Sequence, residues 1–584
     1  MNYSFKKMYD SFSRKPLAGA LLINAFIFVL ALLLCDFKYE ISDDFIVEGT
    51  LAGAFTGHPS EFMLFSNVIL GYILKAFYLL IPKVSWYFVF LETLGFASLC
   101  AVDALLIRKN KGAGIALSVI VSVILSGDLF VLPSFTKTAA VAITAGGLLL
   151  LSRERTKGSI MAGFSLVILG ALLRHHCIYL TAPLIGVMYL MELVIDTRKT
   201  SFKEAFSKHA KTLMLLAAGF AVVFLLRGIN LAIWNNTPGY SEYREYNALR
   251  SSVTDVTSYG RESVMDVYER LGLNDTDYAM ISSWNFVDQD KYTPDTIRQI
   301  ARAKDAVSAA KNHGIGRVLQ NIISRDYLRY PVTVASLLLL ACLAFTGRKD
   351  FLFAIPPVIT SILLIALLFY RGRCLYRVEF AVLASLLLCL SVLVRDGGND
   401  IRRGLSLLAL TVFIINAGTY YPDKSYKRLR YEDYLTYANA ILTESGDYDT
   451  DKYRLDISHE IPYRNLMAMV EGDDNHYMFD FRTTIQRTYY FYNPWIRVPE
   501  GEWENYTYLG SVTVMHPDNI AVWEDNGIDS RDPLKSIVND NIYIVDNYNQ
   551  DARLEYLRQN YYPDARMESA GTVDGLNIWK YYAE

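Results

Sequence analysis

The sequence predicts a polytopic α-helical membrane protein with a soluble C-terminal domain, on three observations. Of 584 residues, 52% are hydrophobic and only 20% charged, whereas soluble domains carry about a quarter charged residues. The apolar residues cluster in runs of roughly twenty, the length that crosses a bilayer core. The charge is also divided. Residues 421–584 hold 29 Asp and Glu against 16 Lys and Arg, a net charge of −13, so the remainder carries +10 of the overall −3. These features exclude a soluble enzyme, a disordered scaffold and a coiled coil. No nucleic acid is expected as a partner of so acidic a soluble part.

Residues 1–16 form a basic N-terminus, with Lys6, Lys7, Arg14 and Lys15 ahead of the apolar run 17–35. That run is long and lacks a small-residue cleavage site, so it reads as a retained first span. Further runs follow at 62–82, 84–107, 113–132, 135–152, 159–173, 177–195, 212–233, 331–346, 351–370, 378–394 and 404–420. The positive-inside rule decides which of them cross. If 62–82 does not cross, every basic loop falls on the cytoplasmic side, including Arg108 to Lys111, Arg153 to Lys157, and Arg198 to Lys211. About 11 spans result, with the N-terminus inside and the C-terminus outside a bacterial cytoplasmic membrane. Segment 62–82 becomes a re-entrant or surface helix on the outer face. The transmembrane domain is then 17–420, with outer loops 36–83 and 234–330, followed by an extracytoplasmic domain at 421–584.

The 234–330 loop is too long for a mere connection. Helices are expected at 260–271 and 294–312, with a cap at Asn274-Asp275. In 421–584, helical patterns at 430–444 and 550–560 mix with strand patterns at 541–545 and 576–581, so an α/β or α+β domain is expected. All six cysteines lie in or beside apolar runs, and none falls in 421–584. Neither a disulfide framework nor a Cys/His metal spacing is present.

Chemistry concentrates at the outer membrane ends. Ser42-Asp43-Asp44 follows the first span, with Glu48 and His58 beyond it. One carboxylate of the pair suits a general base or a ligand to a divalent cation such as Mg or Mn; the alternative is that Ser42 or Asp43 caps a helix. Asp43 is the better placed cap, which leaves Asp44 as the base. Arg371, Arg373 and Arg377 lie in an outer turn where the rule disfavours cations. Guanidinium forks fit phosphate oxygens, although arginines there can also snorkel to headgroups. Arg174 and Lys137 stand at similar outer ends, Lys137 with the alternative of an interfacial anchor. Asp128, His175 and His176 are further candidates for substrate contact, Asp128 also as a turn cap. The many tyrosines of the outer parts suit sugar stacking, or equally a core.

A first span followed at once by an acidic pair, then His58-Pro59 opening a surface-lying segment, and many spans, resembles the GT-C superfamily of lipid-linked-sugar transferases. Trp284-Asn285-Phe286 and residues 542–547 are also similar to segments of a group of bacterial membrane proteins. The superfamily resemblance covers roughly 15–420. It implies a GT-C-like fold, with Asp43 or Asp44 as the acid of the first outer loop and a polyprenyl-phosphate sugar as donor. The donor phosphate would be met, by position, by Arg371, Arg373, Arg377, Arg174 and Lys137. The implied activity is a membrane glycosyltransferase acting on a glycan, lipid or polymer acceptor among membrane lipids. No WWDYG-like acceptor motif occurs, so transfer to asparagine is not expected. Two alternatives remain. A polysaccharide polymerase or ligase predicts a basic outer loop, whereas 234–330 is mixed in charge. A transporter or flippase predicts charges deep in the spans.

Overall fold

The computed structural model describes residues 15–35, 37–54, 58–153, 155–254, 261–346, 348–372, 374–395, 404–405, 408–410, 412, 463–486, 492–496 and 505–584. The expected helix at 430–444, most of the run 404–420 and the start of 260–271 lie outside these residues. The described part is mostly helical, with one small sheet near the C-terminus.

Among the described residues six helices are long and apolar enough to cross a membrane: α1 (Pro16–Leu34), α4 (Trp86–Ser126, continued to Val131), α7 (Cys177–Thr197), α8 (Phe202–Asn236), α15 (Arg348–Tyr370, apolar from Phe351) and α16 (Tyr376–Leu393). Shorter apolar helices are α3 (Val68–Leu80), α5 (Phe135–Leu151), α6 (Lys157–Leu173) and α14 (Pro331–Thr346, apolar to Ala344). α4 is a hairpin rather than a rod. Lys111 has φ 47° and ψ −111°, which breaks the helix. Ser122 Oγ donates to Asp103 Oδ2 at 2.7 Å across 19 residues, which a straight helix would hold about 28 Å apart. At the reversal a Cβ on Gly114 would lie 2.2 Å from the Leu106 carbonyl oxygen, so only glycine lets the arms meet. The basic break between the runs 84–107 and 113–132 is this turn.

α3 has 13 residues, about 20 Å of helix against a hydrocarbon core of roughly 30 Å. Tyr72, Ile73, Phe77, Leu79 and Leu80 on it stay exposed. At the centre of the bundle every residue of α5 is buried. It packs on α6 through small residues, where a Cβ on Gly146 would stand 2.5 Å from the Gly163 carbonyl oxygen. Close approach of this kind holds helices together in lipid, where apolar burial supplies no drive.

Beyond the bundle, α2 (Ser42–Ala52) follows α1, and α9 (Tyr240–Thr254), α10 (Met265–Arg270), α11 (Asp275–Ser282), α12 (Pro294–Asn312) and α13 (Ile315–Ser324) occupy the 234–330 loop. Asn274 caps α11, accepting from the Thr276 and Asp277 amides, as its place before an Asp-rich turn predicts. The C-terminal sheet runs β2 (Tyr506–Leu509), β1 (His476–Asp480), β3 (Ile542–Val545), β5 (Leu576–Tyr582), β4 (Arg566–Val573). β1 is parallel to β2 and β3, while β5 is antiparallel to β3 and β4. Asp574-Gly575, both at positive φ, form the two-residue turn of the β4–β5 hairpin. α17 (Arg464–Glu471), α18 (Pro517–Asp525) and α19 (Gln550–Asn560) complete the domain.

The loop and the sheet share one hydrophobic core, with Tyr246, Phe286 and Tyr292 meeting Met478, Ile544 and Tyr556. The sheet domain also touches the first outer loop. The Tyr506 hydroxyl donates to the Ala54 carbonyl, and the Phe45 and Tyr492 rings lie 5.1 Å apart. The loops 37–54 and 234–330 and the C-terminal domain therefore lie on one side of the bundle. At the opposite end Asp196 gathers Arg153 at 3.1 Å, Lys208 at 3.0 Å and His209 at 3.1 Å.

Candidate functional site

The site is built where the loop after α1 meets the ends of α4, α5 and α16 on the side of the C-terminal domain. Residues 37–41 run beside the turn before α5: the Lys38 amide donates to the Val131 carbonyl at 2.9 Å, and the Glu40 amide to Pro133 at 3.2 Å. This pairing delivers α2 against the α5 N-terminus. Ile41 occupies the cap position of α2 and no side chain caps the helix. The expected cap by Ser42 or Asp43 is thus not formed, because the helix begins at Ser42 and puts both acids in its first turn, where the helix dipole favours them.

Asp44 is fully buried. Its Oδ1 accepts from the Tyr87 hydroxyl at 2.7 Å and the Phe135 amide at 3.0 Å, whereas its Oδ2 has no hydrogen-bond partner among the described residues. Burial pushes its pKa up to about 8; the two hydrogen bonds oppose this, and the nearby Asp43 and Glu40 charges add to it. One turn on, buried Glu48 accepts from Tyr39 and, at 3.4 Å, from Tyr78. The Tyr78 hydroxyl also accepts from the Tyr87 amide at 3.1 Å, which links the two carboxylates through two tyrosines, Tyr78 and Tyr87.

Lys137 lies completely buried beside this cluster. Its ammonium meets Glu40 at 3.0 Å and Asp128 at 2.9 Å, and donates to the Leu132 carbonyl at 2.6 Å. Asp128 sits on a π-helical turn, Gly127–Val131, an irregularity that recurs at functional sites. Its Oδ2 accepts from the Tyr376 hydroxyl at 2.9 Å. On α16, Arg377 approaches Asp43 at 3.7 Å. Buried Glu379 accepts from Arg325 at 2.7 Å and Tyr327 at 2.8 Å.

Of the residues singled out in the sequence, Asp43, Asp44, Glu48, Asp128, Lys137 and Arg377 converge here. Arg174 stands one step away, its guanidinium 4.7 Å above the Phe135 ring whose amide holds Asp44. Arg371 is exposed at the end of α15, and among the described residues its side chain has no ion pair or hydrogen bond. Arg373 lies outside the described residues. His58 sits apart, by His516 of the C-terminal domain. His175 pairs with Tyr179 at 3.3 Å, and its pKa is pulled down to about 4 by burial and by Arg227. The His175 and His176 rings are 6.2 Å apart and edge-on. Among the described residues no three His, Cys, Asp or Glu side chains converge as a metal ion requires.

Sequence reading passed over Glu40, Tyr87, Arg325 and Tyr376. Glu40 and Tyr87 carried a signal, since each stands within two residues of an outer helix end. No family model, no curated protein and no solved structure matches the chain, so its chemistry is read from these side chains.

Proposed function

We propose that the protein is a GT-C-like glycosyltransferase of the bacterial cytoplasmic membrane, with about 11 spans and its site on the outer face. It moves a sugar from a polyprenyl-phosphate donor to a cell-surface glycan, lipid or polymer. The observation that carries this is Asp44: a buried carboxylate with one oxygen fixed by Tyr87 and Phe135 and the other left without a partner. The unpartnered oxygen takes the proton of an acceptor hydroxyl while the hydroxyl oxygen attacks the anomeric carbon. The bond from that carbon to the phosphate oxygen breaks, and polyprenyl phosphate leaves with the electron pair. Arg371, without an ion pair among the described residues, and Arg377, loosely paired with Asp43, suit the leaving phosphate. Lys137, already holding two carboxylates, serves to fix Glu40 and Asp128 in place.

The test is release of polyprenyl phosphate from a panel of polyprenyl-phosphate sugars by purified protein. Absence of release with every donor, from protein that remains folded, counts against transfer. A second reading, proton-linked movement of a lipid-linked glycan, draws on Glu92 in α4, whose two buried carboxylate oxygens have no partner. Intramembrane acids of this kind mark pathways. In that case Glu92→Gln stops glycan movement across vesicles.

A further inference from the structure

We propose that α13 lies flat in the leaflet on the side of the site, with Ile315, Leu319 and Ile323 among lipid acyl chains. The sequence Ile315-Gly316-Arg317-Val318-Leu319-Gln320-Asn321-Ile322-Ile323-Ser324 places all five apolar side chains on one arc, about 140° wide at 100° per residue. The protein covers only part of that arc. Val318 is buried and Ile322 packs against the core, whereas Ile315 and Ile323 are each 82% exposed and Leu319 is 53% exposed. Gly316, Arg317, Gln320, Asn321 and Ser324 fill the opposite side, the division expected of a helix lying in a bilayer interface.

The surroundings say what covers the open part. Just before α13, the His313 ring stacks on Tyr370 at 4.2 Å, at the outer end of the apolar helix α15. Just after it the chain enters the apolar helix α14 at Pro331. Exposed apolar residues continue from the arc without a break in kind: Leu328, then Val334, Leu337 and Leu338 on α14, and Leu363, Leu367 and Tyr370 on α15. The stripe on α13 is thus the margin of the lipid-facing surface of two neighbouring helices, and its occupant is lipid. The placement reaches the site, because Arg325 directly follows α13 and its guanidinium holds Glu379 at 2.7 Å. The depth of α13 therefore sets the level of the α16 end that carries Tyr376 and Arg377. Only the crossing of the bilayer by α14 and α15 is needed, not sugar transfer, so a chain inactive in every transfer assay still tests the placement.

The test uses the full chain in nanodiscs, with Leu319→Trp, Ile323→Trp and Gln320→Trp compared after subtraction of wild-type emission. Lipid brominated along its acyl chains is expected to quench Trp at 319 and 323 several-fold more than Trp at 320, while aqueous iodide gives the reverse order. Quenching of 319 and 323 by iodide and not by brominated lipid places the face in water and overturns the proposal. Quenching by neither shows a protein cover, a second copy or another part of the chain, and overturns it equally.

Discussion

Replacing Asp44 by Asn separates chemistry from folding at this site. The amide oxygen can still accept from Tyr87 and Phe135, and the amide nitrogen replaces the oxygen that has no partner. What disappears is the base. Turnover is expected to fall by about 10²–10⁴, the usual share of general-base catalysis, with donor binding unchanged. The wild-type rate is expected to rise with pH through about 8, because only the ionised carboxylate accepts the proton. Stability moves the other way. The folded carboxyl holds its proton up to about 8 against an ordinary value of 3.8. Its contribution is therefore full below pH 3.8 and is lost as pH rises through about 8. Each unit across that window removes at most about 1.4 kcal/mol, so the window as a whole is worth a few kcal/mol. Thermal unfolding of detergent-solubilised protein between pH 5 and about 9 should show that slope in the wild type and its absence in the variant. Wild-type turnover by Asp44→Asn would refute the assignment of the base. Identical slopes would refute the claim that this carboxyl is the buried, titrating one.

Arg371→Ala and Arg377→Ala should each weaken donor binding by about 1.5–3 kcal/mol, the range for hydrogen bonds to charged groups, with only partial rescue by Lys; wild-type binding in the double variant would make the turn a membrane anchor. Lys137→Met leaves Glu40 and Asp128 buried together without their cation and should cost about 3–5 kcal/mol of stability, seen as a lowered Tm, while an unchanged Tm with weakened donor binding would make Lys137 a phosphate ligand instead. A cysteine at Asp540 should react with an impermeant maleimide on intact cells and one at Lys109 should not; the opposite pattern would put the site in the cytoplasm.

How much of this was legible depends on range along the chain. The long apolar helices were, because length and apolarity are local properties: α1, both arms of α4, α7, α8, α15 and α16 lie on the runs read from the sequence. The strands at 542–545 and 576–582 and the helix at 550–560 were legible for the same reason. Asp44 was visible as half of an adjacent acidic pair, but its burial was not. That burial depends on Tyr87 and on the Phe135 amide, 43 and 91 residues away. Lys137 shows the limit most clearly. Its sign and its place at an outer helix end suggested an anion ligand, yet the partner that neutralises it with Asp128 is Glu40, a residue of another segment. The shared core of the 234–330 loop and the sheet was hidden likewise, since periodicity reveals an apolar face but not its partner.

The charge balance of the site constrains where each half of the proposed transfer can occur. Among the described residues Glu40, Asp43, Asp44, Glu48, Asp128 and Glu379 share three paired cations, Lys137, Arg325 and Arg377, with Arg174 one step away. Even with Asp44 protonated, acids outnumber cations among the described residues, and the interior repels a phosphate. On the proposed reading a donor phosphate would therefore be held at the rim, by Arg371 and Arg377, with its lipid tail in the leaflet beside α15. The neutral sugar can enter further, toward Asp44, because no charge opposes it. The anomeric carbon would then lie between base and phosphate, and the leaving group would depart outward into lipid. Burial, with the Asp43 and Glu40 charges adding to it, keeps the Asp44 carboxyl protonated below about pH 8, so it is the ionised fraction, growing as pH rises, that would accept the acceptor's proton.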